Sequence, residues 1–167
     1  MPKNTGRSLQ LVLIASLVLA CTQAGLAEEF SLTIGSPVAA GSFRAKNAVF
    51  AIRSRGCPVP AKMEVSGAAE GLVDGKRRTV PLAHVAAMPT PGVYTVSREW
   101  PPEGVWVVNL TGRCDQAIRG VLVPIGPKGF LRESSKFFPR PAGQDEIDAS
   151  LRSLAESLRQ QTPGSSH

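Results

Sequence analysis

The chain has little of what most protein chemistry needs. Histidine occurs twice in 167 residues, at His84 and His167, and cysteine three times. There is no C-x-x-C, no H-x-H and no methionine-rich run, so the usual spacings that run thiol exchange or hold a soft metal are missing. G-x-S-x-G, H-E-x-x-H, the P-loop and the dinucleotide fingerprint are absent as well, which leaves no motif for an enzyme to be read from. Basic residues outnumber acidic ones by 19 to 13, yet their densest run is only Lys76, Arg77 and Arg78. Nucleic acid grips longer basic stripes than that, so it is not an expected partner.

Long hydrophobic runs are also lacking. The most apolar stretch, Leu11 to Ala20, is ten residues with Ser16 its one polar member, too short to span a bilayer. Preceded by Lys3 and Arg7, it has the form of a secretory signal. Small residues at Gly25 and Ala27 suit cleavage before Glu28, which makes residues 1–27 a signal peptide and the product a periplasmic or secreted protein. The alternative route is a lipobox ending in Cys21, whose lipidation would anchor the chain to a membrane. Without residues 1–27 the basic residues fall to 17 against 13 acidic, a formal charge of +4, and no transmembrane span is expected in the mature chain.

Either route takes Cys21 out of the thiol count and leaves one pair, Cys57 and Cys114. In an oxidising compartment an isolated pair reads as a disulfide. Its loop of 57 residues would stabilise by roughly 4 kcal/mol on the chain-entropy model.

What the chain does have is alternation. FSLTI (30–34), AVFAIRSR (48–55), the stretch 62–73 broken by Gly67 and Gly71, KRRTVPL, VYTVSREW, VWVVNL and the segment 119–124 all read as short strands. Asp74-Gly75 marks a hairpin, since both central positions of a type I′ turn need positive φ. Residues 83–92, with two prolines and a glycine, read as a crossing segment. Period two places Tyr94, Val96, Arg98 and Trp100 on one face and Trp106, Val108 and Leu110 on another.

Strands spaced by turn signals, with no helical pattern among them, predict an all-β immunoglobulin-like β-sandwich over 28–126. Labelled B, C, C′, E, F and G from residue 48 onward, strands B and F run in the same direction, so the loops holding Cys57 and Cys114 share one pole. The strap 127–142 carries Phe130, Phe137 and Phe138 between prolines and glycines and is expected to dock its aromatics on the sandwich. Ile147, Leu151, Leu154 and Leu158 then recur at helical spacing, predicting an appended C-terminal amphipathic helix over 143–161. The acids Asp145, Glu146 and Asp148 at its start suit the helix dipole. Residues 162–167 are expected to be a disordered tail.

PGVYTVSREWPPEGVWVVNLTG resembles the E to F hairpin of small exported immunoglobulin-like modules of the YtkA and FixH type, where a "PG-x-Y" start is followed by a "G-x-W" strand. The resemblance covers about residues 48–124. RGCPVPAKMEVSGAAEGLVDGKRR together with GFLRESSKFFPRP is similar to a family of secreted bacterial proteins. The resemblance implies the fold and the compartment and carries no site residues.

Candidate chemistry is sparse. A periplasmic copper site would draw on His84 and Met88, with Met63 and His167 as further ligands, because thioethers suit Cu(I); the plainer reading is a strand-end histidine and packed methionines, with no cofactor. Ser134, Ser135 and Lys136 adjoin as a nucleophile with a base would, and Glu99 and Glu103 flank a proline turn, but both groups read as solvated surface. Trp100, beside Pro101 and Pro102, is the one aromatic with a claim to contact a ligand. Asn109-Leu110-Thr111 matches a glycosylation sequon inside a predicted strand. Together these point to a non-enzymatic binding or structural module of the cell envelope whose partner is an envelope protein or a small ligand, with a copper-binding protein as the alternative.

Overall fold

The computed structural model describes residues 28–37 and 48–161. The expected signal segment with Cys21 and the expected tail with His167 lie outside the described residues. The alternating segments form two antiparallel sheets. The smaller holds β1 (Ser31–Gly35), β2 (Ala48–Arg55), β5 (Val85–Ala87) and β6 (Val93–Ser97), in the order β1-β2-β6-β5. The larger holds β3 (Glu64–Val73), β4 (Lys76–Pro81), β7 (Val105–Cys114), β8 (Ala117–Gly126) and β10 (Lys136–Phe138), in the order β10-β8-β7-β3-β4, with the short β9 (Gly129–Phe130) also paired to β8. In immunoglobulin lettering β1-β2-β6-β5 are A-B-E-D and β8-β7-β3-β4 are G-F-C-C′, with β10 added beyond G. Asp74 and Gly75 both have positive φ, 51° and 71°, as the β3–β4 hairpin requires.

The two strands of the PGVYTVSREWPPEGVWVVNL segment are not a hairpin. β6 belongs to the smaller sheet and β7 to the larger, and residues 98–104 carry the chain across. Their alternate side chains meet through the core rather than along a ladder. Pro101 and Pro102 lack the N–H a tight hairpin would use. The crossing segment 83–92 also contains a strand: Val85–Ala87 pairs with β6 as the D strand. Its three residues at a sheet edge leave too little alternation to be read from sequence.

The region 62–73 is one continuous strand despite its glycines. Gly71 lies opposite Trp106 and Gly67 opposite Leu110, and a Cβ at either would overlap the facing side chain. The glycines make room for the large residues of β7 instead of ending β3.

Phe50, Ile52, Val96, Trp106, Val108 and Leu110 fill the space between the sheets. The ends of β2 and β7 meet at one pole, where a disulfide joins Cys57 to Cys114 with Cα atoms 5.9 Å apart. Cys114 is the last residue of β7 rather than part of a loop, because Asp115, at φ 50°, and Gln116 suffice to turn the chain into β8.

The helix α1 (Gln144–Gln161) packs on the outer face of the larger sheet. Ile147, Leu151 and Leu154 bury against Val107 and Leu122, each such side chain contributing roughly 1.5–3 kcal/mol. The strap leading to it is more regular than a non-repetitive connection, since β9 and β10 both pair with β8. Its last part crosses β8 at Gly120, where a Cβ would press on Pro141 and the backbone of Ala142.

Polar groups fix the helix in place. The Glu146 carboxylate accepts from the Gly143 backbone N–H at 2.6 Å, one half of a capping box, and takes the Arg140 guanidinium in a fork at 2.8 and 2.9 Å. Asp148 pairs with Arg77 of β4, and Arg77 also reaches Glu70 of β3 at 3.3 Å. The early acids therefore do more than suit the dipole: two of them tie α1 to the strap and to the sheet.

Candidate functional site

The structure takes apart most of the sequence candidates. Trp100 lies beyond the end of β6, folds into the inter-sheet core and is 3% exposed, so it offers no ring to a ligand. Its indole N–H is buried without a hydrogen-bond partner among the described residues, the cost of filling that pole with a large side chain. Tyr94 and Trp106 do point inward. The Tyr94 hydroxyl donates to the Met63 carbonyl, and burial holds its pKa above the ordinary value, with Glu64 adding to the effect. The Trp106 N–H donates to the Glu103 carbonyl at 2.7 Å.

The copper set is not brought together. Met63 is 2% exposed in the inter-sheet core, whereas Met88 packs on Ala51 and Val93 in a separate cluster, its sulfur 3.8 Å from the Thr95 hydroxyl. His84, its side chain 78% exposed, faces Glu99 instead, with Nδ1 3.4 Å from the carboxylate. Glu99 accepts the backbone N–H groups of His84 at 2.7 Å and Ala83 at 3.0 Å. Burial works to raise its pKa, but these bonds and the His84 ring outweigh it and hold it below the usual range. Glu99 is thus a structural clamp on the connection into β5. Among the described residues no three His, Cys, Asp or Glu side chains gather as a metal site would need.

Ser135 is engaged by its own turn, donating to the Leu131 carbonyl at 3.0 Å, whereas Ser134 and Lys136 border a cavity under α1. Asn109 stands mid-sheet between Ala68 and Leu122 with its side-chain oxygen buried, which shields the sequon. An open basin at the disulfide pole is lined by Lys62, Glu64, Arg113 and Asp115, two charges of each sign that select neither anions nor cations.

The feature that remains is one sequence reasoning had assigned to packing. Phe137, expected to dock on the sandwich, is 51% exposed. Its neighbours do dock: the Phe130 ring centroid lies 5.6 Å from that of Phe50, and Phe138 packs in the layer under α1. Strand alternation is the cause, because Phe137 points away from the face on which Phe138 is covered.

Phe137 stands on an open side of the sandwich, where β1 is the edge of the smaller sheet and β10 the edge of the larger. Two clefts of about 390 and 290 Å³ adjoin there, and both are bounded by Leu32 and Phe137. Together they form a groove along β1. Its apolar middle is flanked by Arg132 and Glu133 at one end and by Arg119 and Glu29 at the other. Arg119 is held there by its pairing with Glu29 and by the Phe30 ring, whose centroid is 6.0 Å away.

The two edges are guarded differently. β10 is three residues long, begins with Lys136 and is followed by Pro139, the devices that blunt an edge against further pairing. β1, SLTIG, has no charge and no proline and pairs only with β2 among the described residues. The groove thus joins an unpaired strand edge to an exposed aromatic ring.

No family model, curated protein or solved structure matches the chain. Among the described residues no helix is long and apolar enough to cross a membrane.

Proposed function

We propose that the chain is an exported, non-enzymatic binding module of the cell envelope, which takes an extended segment of a partner polypeptide into the groove between β1 and β10. The observation that carries this reading is Phe137, half exposed beside the open edge of β1. An extended segment added to such an edge gains main-chain hydrogen bonds, and its alternate side chains reach the apolar floor and the ring. Export is supported by the charged and apolar N-terminal segment and by the Cys57–Cys114 disulfide, which persists in oxidising compartments. The likeness to modules of the YtkA and FixH type belongs to the same proposal and rests on residues that form β6 and β7.

The test is site-specific photo-crosslinking in the host that exports the protein. A photoreactive residue placed at Phe137, and separately at Thr33 on the opposite wall, should capture the same short segment of one partner, mapped by mass spectrometry. Val59, also an exposed apolar side chain at 42%, is the control position. Products from Phe137 and Thr33 that differ from each other, or that do not exceed those from Val59, would overturn the reading.

A further inference from the structure

The open edge of β1 is complementary to itself. A strand added there must continue the alternation of the sheet, with apolar residues on the core side, where Leu32 and Ile34 are each 5% exposed, and small residues on the outer side, where Ser31, Thr33 and Gly35 stand. β1 meets both demands. It carries no charge, no proline and no bulky side chain on its outer face.

Symmetry then fixes the register. Directly opposed residues of an antiparallel pair share one face of the sheet, so a twofold axis that keeps both cores on the same side must pass through a residue of the strand. Placed at Thr33, the axis opposes Ser31 to Gly35 and Leu32 to Ile34 and pairs all five residues of β1; placed at Leu32 or Ile34, it pairs only three.

The charges at the two ends of the groove agree with that axis. Arg119 and Glu29 stand at the Ser31 end, and Arg132 and Glu133 at the Ile34 end. The rotation lays the first pair of one copy beside the second pair of the other, so that Glu133 can meet Arg119 and Arg132 can meet Glu29. Neither end carries a net charge that would repel its mate, and a strongly cationic or anionic segment finds no such match. Phe137 borders both clefts with Leu32, which puts it at the middle of the groove beside the axis. Its half-exposed ring is covered there by the other copy. The blunted β10, three residues long with Lys136 at its start, keeps the pairing to the smaller sheet.

We propose, on the reading of β1 as a strand-addition edge, that the segment it takes is β1 of a second copy of this chain, which joins two four-stranded sheets into one about a twofold axis at Thr33. One strand and one ring per copy make a small contact, so a Kd on the order of 10 µM is expected. Sedimentation equilibrium of the purified exported protein from about 1 to 300 µM reads the association. Phe137→Ser should weaken it about tenfold. Thr33→Lys and Thr33→Glu each set like charges opposite one another on the axis and should leave the protein monomeric, whereas an equimolar mixture of the two should dimerise again. Recovery in the mixture also shows that both variants fold.

The second copy is overturned if the parent stays monomeric across that range, if both Thr33 variants dimerise as the parent does, or if the mixture stays monomeric while both variants keep the parent's circular dichroism. Crosslinking from Phe137 and Thr33 separates that failure from failure of the groove itself. Capture of residues 31–35 of a second copy supports the proposal. Capture of one segment of another protein keeps the strand-addition edge and overturns the second copy, and capture no greater than from Val59 overturns both.

Discussion

The inter-sheet core and the layer under α1 share the strands β7 and β8 but are held by different means. Between the sheets, side chains from both interdigitate and a covalent bridge closes the pole. Under the helix, Ile147, Leu151 and Leu154 meet Val107 and Leu122, and the alignment of the layer depends on two ion pairs, Arg77–Asp148 and Arg140–Glu146. The first region should resist acid and yield to reductant. The second should do the reverse. The same two strands thus serve two layers of unlike chemistry.

The largest expected effect breaks the first region. Replacing Cys57 and Cys114 by serine should lower the free energy of unfolding by about 4 kcal/mol, seen as a fall in the denaturant midpoint that reductant reproduces in the parent protein. Leu151→Ala tests the second region, with an expected loss of about 3 kcal/mol, read from the same denaturation curves and from an earlier loss of the helical signal at 222 nm. Gly71→Ala returns to the core, where a Cβ must displace the Trp106 ring. A cost of about 1–3 kcal/mol is expected, with the change visible in tryptophan fluorescence.

The smallest effect separates the regions by pH. The hydrogen bonds from Arg77 hold the Asp148 carboxyl below the usual carboxylate range, and those from Arg140 do the same for Glu146. Carboxylates with depressed pKa values stabilise the fold above their unfolded values and lose that contribution as pH falls through the folded ones. The helix layer should therefore loosen below the ordinary carboxylate range while the disulfide-closed core persists. Hydrogen exchange along α1 and β2 at falling pH would show it, with α1 losing protection first. Asp148→Asn should lessen the acid response, and equal loss from both elements would erase the distinction.

Much of the sandwich was legible because alternation and turn chemistry are local. VWVVNL placed Trp106, Val108 and Leu110 inward correctly, and Asp74-Gly75 named its own hairpin. The same hexapeptide held a further signal in Val107, an apolar residue on the outer face, which marks a strand covered on both sides and so called for a third layer. The candidate site was less legible. Phe137 and Trp100 are both aromatics within two residues of a proline, and nothing local distinguishes the one that is exposed from the one that is buried.

By itself the sequence determined the strand pattern, the one available cysteine pair and the amphipathic helix, since each depends on spacing within a few residues or on elimination among three cysteines. Only the tertiary structure decided where the helix lies, that β6 and β7 occupy opposite sheets, and that Phe137 faces an open groove while Trp100 is buried. Those outcomes depend on contacts between segments far apart in the chain, and packing resolves them only when every surface competes for cover at once.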